Sequence, residues 1–195
     1  RDLEGRRVGV TGLPSDVAVL RSIVRGDGGD PAKVRRTTIG FNAVPALLGR
    51  RVAGVTAFWN AEGVALQARR PATREFRVDE FGAPSYPELV LAVSRTTLQD
   101  DPGLVRAVVG ALRRGYQELL GDPESGIEAL VEAEPDLQRD QVARELDAVS
   151  PAFTQGASVF GQLDPARLRE WAAWEARFGI TREPPDVPQA FAPRF

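Results

Sequence analysis

The residues best equipped for chemistry in this 195-residue chain lie in Phe58-Trp59-Asn60-Ala61-Glu62-Gly63, directly after a β-branched run from Val52 to Thr56. An indole, an amide and a carboxylate delivered into one strand-to-helix loop combine a stacking surface with hydrogen-bonding groups, at the end of a sheet where open α/β folds hold ligands. Trp59 offers a flat face, and Glu62 can accept two N–H donors in a fork, a pairing that suits a planar, nitrogen-rich ring. The same residues also fit ordinary helix grammar, with Asn60 as N-cap, Glu62 in the first turn and Trp59 in a core.

Two further loops follow carboxyl ends of expected strands. In Thr11-Gly12-Leu13-Pro14-Ser15-Asp16, Gly12 permits a close turn and Ser15 stands where an N-cap is expected, so the free N–H groups of the following helix favour a phosphate, carboxylate or hydroxyl. Capping of its own helix by Ser15, with Asp16 answering the dipole, is the plainer alternative. In Phe41-Asn42, Asn42 is a candidate N-cap with Pro45 in the first turn, and capping is again the simpler role. What favours function is convergence: three such loops on one sheet edge make the floor of a cleft.

The elements that must position these loops alternate. Arg7–Val10 reads as a strand, Ser15–Arg25 as a helix with Val17, Leu20, Ile23 and Val24 on one face, 36–40 as a strand and Ala43–Leu48 as a short helix. Val52–Phe58 follows as a strand and 61–69 as a helix, and the alternation predicts right-handed crossovers and a mostly parallel sheet. Glu88–Ser94 reads as one more apolar strand. Beyond it Asp101-Pro102, Asp122-Pro123 and Asp164-Pro165 each place a capping acceptor before a proline at the first helical position. The first of these helices carries Val105, Val108, Val109, Leu112 and Leu119 toward a core; another, marked by Val142, Leu146 and Val149, ends before Pro151; the last carries Leu168, Trp171 and Phe178 and stops at Gly179. The chain therefore divides into an α/β ligand-binding segment, 1–84, a return strand with helices, 85–180, and an extended proline-rich tail, 181–195, with Gly82–Pro87 as the hinge.

Composition removes several functions. A net charge of −2 with scattered arginines gives no field for a phosphate backbone, so nucleic acid is not an expected partner. The absence of both Cys and His removes thiol nucleophiles, disulfides, Cys/His zinc sites and imidazole bases, and no metal or cofactor is expected. No apolar run reaches the length that crosses a bilayer. Without a single Met, the chain reads as a processed or excised part of a longer protein.

Asp2-Leu3-Glu4-Gly5-Arg6-Arg7-Val8-Gly9-Val10 resembles the segment leading into the second lobe of periplasmic solute-binding proteins of ABC importers. Gly12-Leu13-Pro14-Ser15-Asp16, Phe41-Asn42 with Val44–Leu48, and Trp59–Gly63 resemble the branch that binds thiamine-pyrimidine precursors and includes the thiamine pyrimidine synthases. The resemblance implies a type II periplasmic-binding-protein-like lobe followed by a helix-rich portion of the other, incomplete lobe, so that the chain is a C-terminal portion. It implies a ligand such as formylaminopyrimidine or hydroxymethylpyrimidine, held at Thr11, Gly12, Ser15, Asn42, Trp59, Asn60 and Glu62, with Glu62 bonding the pyrimidine, Trp59 lining it and the 11–15 loop holding the polar substituent. The implied partners are an ABC permease and ATPase, and the implied location of this chain is periplasmic or extracytoplasmic in a bacterium, with the membrane reached through the transporter or a lipid anchor beyond this chain. A flavin or sulfonate is the alternative ligand class, and an interaction module that has lost its ligand is a further reading. A thiamine pyrimidine synthase-like enzyme is the rival reading from the enzyme class, but the synthase members use a histidine and a cysteine-rich motif, which this chain lacks, so no catalytic residue is expected.

Overall fold

Parallel strands at the amino end of the chain set the architecture. In the computed structural model, which describes residues 1–195 apart from 71, 156 and 158, β1 (Arg7–Val10), β2 (Arg35–Thr38) and β3 (Gly54–Val55) form a parallel sheet in the order β2-β1-β3. Arg7 pairs with Arg35 and Val10 with Thr38 on one side of β1, and Val8 pairs with Gly54 on the other. The crossover helices are α1 (Pro14–Gly26) and α2 (Ala43–Leu48), and α3 (Val64–Arg69) follows β3. Val8, Leu20, Val24 and Val34 bury one face of this sheet, with Leu3 packed against them.

The chain forms two compact units, one of residues 1–86 with 166–187 and the other of 87–165 with 188–195. In the first, α8 (Pro165–Phe178) contributes Trp174 and Phe178 to a core with Ala18 and Ala83. The Trp174 indole donates to the buried Ser22 hydroxyl over 3.4 Å, and Ser22 donates to the Phe81 carbonyl over 3.2 Å. Tyr86, Trp171, Trp174 and Phe178 stack in succession, with centroids 3.7, 4.6 and 4.8 Å apart. Gly179, at φ 79°, ends α8 in the left-handed conformation expected of it. In the second unit α4 (Arg95–Asp100) leads to α5 (Pro102–Gly121), α6 (Pro123–Ala133) and α7 (Arg139–Phe153), and the Asp101 and Asp122 carboxylates cap α5 and α6 as the Asp-Pro pairs predict. Tyr116 stacks on Phe160 at 3.8 Å and meets Phe153 edge-on at 5.0 Å.

Several expectations are corrected. The strand expected at Glu88–Ser94 does not form: the segment pairs with no other strand among the described residues, and Leu89 is 87% exposed. An apolar alternation is not enough when no sheet edge offers partners for its N–H and C=O groups. The strand read over Val52–Phe58 shrinks to Gly54–Val55, although Ala53 N and Thr56 N still donate to Arg7 and Gly9 carbonyls. Of the face expected on α5, Val105 is buried while Val108 and Leu112 are exposed. Helix α7 runs through Pro151 rather than stopping before it; a proline forfeits one backbone bond, and Ser150 Oγ bonds the Leu146 carbonyl at 2.6 Å. The units also differ from the expected division, since α8 groups with the sheet, and the tail is interrupted by α9 (Val187–Ala190).

Candidate functional site

Because β2, β1 and β3 run parallel as neighbours, the loops after them leave one edge of the sheet side by side. Pairing extends right to that edge, where Ile39 N donates to the Val10 carbonyl over 2.9 Å and Thr56 N to Gly9 over 3.0 Å. Gly12 has φ 112°, a conformation side chains rarely adopt, and a Cβ there would stand 3.3 Å from Thr38 Cγ2. The expected site residues are therefore brought to a common edge by topology.

Within the first loop, an internal carboxylate engages the backbone donors that precede the helix. Asp16 Oδ2 accepts from Thr11 N at 2.6 Å, from Gly12 N at 3.2 Å and from the Thr11 hydroxyl. Leu13, not Ser15, occupies the cap position of α1, because Pro14 starts the helix one residue earlier and Ser15 falls inside it. Ser15 is exposed and α1 starts without a side-chain cap, whereas Thr11 and Gly12 shape the loop around an internal carboxylate.

Asn42 does take the cap position of α2, but its side chain does not cap; Nδ2 donates back to the Ile39 carbonyl at 3.1 Å. In the third loop a π-helical turn, Trp59–Gly63, precedes α3, closed by Gly63 N donating to the Phe58 carbonyl at 2.9 Å. Such turns recur at functional sites. Asn60 lies inside that turn, and Phe58 is its cap residue, so the N-cap reading of Asn60 is overturned. Glu62 Oε2 accepts from Phe58 N at 3.0 Å, which leaves its other oxygen uncommitted. The Trp59 ring is half-buried and carries the Arg77 guanidinium 4.2 Å from its centroid. Arg77 is itself steadied by Glu75 at 3.8 Å and Asp79 at 3.9 Å.

Each loop also exposes one large apolar side chain that the sequence reading did not single out: Leu13 at 53%, Phe41 at 81% and Phe58 at 50%. Pattern alone could not separate them from core residues, because exposure depends on where each loop turns. At the end of β3, Thr56 Oγ1 is enclosed without a hydrogen-bond partner among the described residues, an unusual state for a buried hydroxyl. The edge thus joins apolar faces to free amide, hydroxyl and carboxylate groups, a combination able to hold a planar polar ring.

A parallel sheet with crossover helices opening at such an edge is the α/β architecture in which open sheets hold ligands. Residues 1–126 match the family described as NMT1/THI5 like, and the chain belongs to that family. It is 24% identical over 196 residues to a formylaminopyrimidine-binding protein of Halalkalibacterium halodurans, a match covering 98% of this chain and 59% of that protein. It is also 26% identical over 163 residues to a 4-amino-5-hydroxymethyl-2-methylpyrimidine phosphate synthase of Legionella pneumophila, covering 80% of this chain and 49% of the relative. The chain spans about half the length of these curated relatives. This is the branch to which the 12–16, 41–48 and 59–63 segments point.

Proposed function

We propose that this chain is the ligand-binding lobe of an extracytoplasmic solute-binding component of an ABC importer, and that it captures a thiamine pyrimidine precursor such as formylaminopyrimidine or hydroxymethylpyrimidine. The observation that carries the reading is the shared sheet edge, where Leu13, Phe41 and Phe58 stand exposed beside Ser15, Asn42, Asn60 and Glu62. Its support from outside the fold is family membership and the Halalkalibacterium binding protein. Stacking on the aromatic rim and charge-assisted bonds to the free Glu62 oxygen supply the affinity. Binding energy realised only when a second lobe covers the ring favours the closed state, which a permease with its ATPase then reads. Among the described residues no helix is long and apolar enough to cross a membrane, so in this reading the membrane is reached through the transporter or an anchor outside the chain.

The Legionella relative favours a second reading, a pyrimidine synthase-like activity. Such chemistry would have to proceed here without imidazole or thiol groups. A thermal-shift series tests both readings, because a ligand that binds only the native state raises the melting temperature by mass action. Formylaminopyrimidine and hydroxymethylpyrimidine are expected to raise it in proportion to the logarithm of concentration, with riboflavin and taurine inert. A shift with riboflavin or taurine alone would replace the proposed ligand class, and pyrimidine formation by the protein given pyridoxal phosphate and iron would favour the synthase.

A further inference from the structure

At the opposite edge of the same sheet, where the strands begin, a cleft of about 460 Å³ is lined by Arg6, Arg7, Arg35, Arg50, Arg51 and Arg70 over an apolar floor that includes Leu47 and Val52. We propose that this cleft is a second ligand site, separate from the heterocycle edge, and that it binds a chain of linked phosphoryl groups. No carboxylate is among its lining residues, and none of the six guanidiniums forms an ion pair among the described residues. The acid nearest in sequence, Glu4, is engaged by Lys33 at 3.3 Å and by the Asp30 amide at 2.8 Å. In a chain with more acidic than basic residues, 27 against 25, such a grouping is not an overflow of composition.

The backbone holds the arginines together against their repulsion. Arg7 and Arg35 are direct register partners on β1 and β2, an arrangement that disfavours like charges. Arg35 N donates to the Arg6 carbonyl at 2.9 Å, Ala53 N to Arg7 at 2.8 Å, Arg51 N to Ala46 at 3.0 Å and Arg70 N to Leu66 at 2.7 Å. Arg50 is the single non-glycine residue with positive φ, 56°, among the described residues, and it keeps an arginine where a glycine would relieve strain. The carboxyl ends of α2 and α3 reach this edge, but a helix end carries only about half a negative charge. Two such ends offset about one of six positive charges, and the rest, carried on exposed side chains, set up a local field that attracts an anion.

Charge matching sets the ligand's size. Arginine forks bind phosphate oxygens bidentately, and near neutral pH a terminal phosphoryl group carries about 1.5 to 2 negative charges, a bridging one in a linked chain only about one. Three linked groups thus bring about 3.5 to 5 negative charges against the roughly five positive charges left, which makes inorganic tripolyphosphate or a nucleotide triphosphate tail the matching chemistry.

Calorimetry on the unmodified chain at low salt, with tripolyphosphate, a nucleoside triphosphate, orthophosphate and sulfate at matched ionic strength, tests this. Saturable one-to-one binding of either triphosphate is expected, about tenfold or more tighter than orthophosphate, and the ratio of the two separates the inorganic from the nucleotide source. Arg35→Gln with Arg51→Gln should weaken it about tenfold or more. Should that variant misfold, Arg7→Gln with Arg70→Gln is the second test, and shifts of the arginine side-chain NMR signals on adding tripolyphosphate to unmodified protein are the third. Equal affinity for sulfate and tripolyphosphate, absence of saturation, or cosedimentation with phosphatidylglycerol vesicles without triphosphate binding would overturn the proposal. Pyrimidine binding is read at the other edge, so neither result decides the other.

Discussion

At Trp59 the indole ring is met by the Arg77 guanidinium 4.2 Å from its centroid, whereas Phe41 and Phe58 are exposed to solvent. In the proposed site Phe41 and Phe58 are therefore the rings open to a ligand, while Arg77 covers the Trp59 ring. Replacing Phe41 or Phe58 by alanine is expected to weaken pyrimidine binding by about 0.5 to 1.5 kcal/mol each, with little change in melting temperature, as isothermal titration and thermal unfolding would show. Unchanged affinity in both variants would remove the rim from the site. Glu62→Gln retains an oxygen for Phe58 N but loses the charge, so the fold should persist while pyrimidine affinity falls by about 1 to 3 kcal/mol. Residue type and neighbours single out Glu62 in the sequence, and its part in the proposed site is what this variant tests. The roles of Asp16 and Arg77 were not legible there, because an internal acceptor and a covering cation depend on loop paths that no spacing rule records.

Among the elements, β1 and α2 match their sequence reading residue for residue, because turn signals bracket short periodic runs. The strand expected at 88–94 failed for want of a partner, which is a property of the sheet and not of the segment. At the end of α1, Gly26 meets the backbone of Phe81, where an added Cβ would stand 2.7 Å from the carbonyl oxygen and 2.9 Å from Cα. Backbone atoms cannot swing away, so Gly26→Ala should destabilise the chain by about 1 to 3 kcal/mol in chemical denaturation; an unaltered midpoint would show that this contact is slack. Ahead of β1, the hydrogen bond from the Asp30 amide, with help from Lys33, holds the Glu4 carboxyl below the usual carboxylate range. A carboxyl with a depressed folded value contributes its stabilisation at higher pH and loses it as pH falls through that value. The Asp30 amide resonance should accordingly titrate with a midpoint below that of an ordinary glutamate, and a midpoint at or above it would show the tether absent in solution.

On the scale of the whole molecule, the alternating strands and helices of the first seventy residues announce a parallel α/β sheet, whose carboxyl edge carries the proposed site. The grouping of α8 with that sheet was hidden, since the Trp174–Ser22 hydrogen bond joins residues 152 positions apart. The arginine cleft was hidden for the same reason, being assembled from the starts of strands and the ends of helices far apart in sequence. Family membership, two pyrimidine-related relatives and the rimmed edge meet in one claim, that a pyrimidine precursor is held where β1, β2 and β3 end. The most direct test is an amide NMR titration of the chain with formylaminopyrimidine. Saturable shifts gathered at Gly12, Phe41, Phe58 and Asn60, with Arg7 and Arg35 unmoved, are the predicted result; no saturation, or shifts confined to the far edge of the sheet, would contradict it.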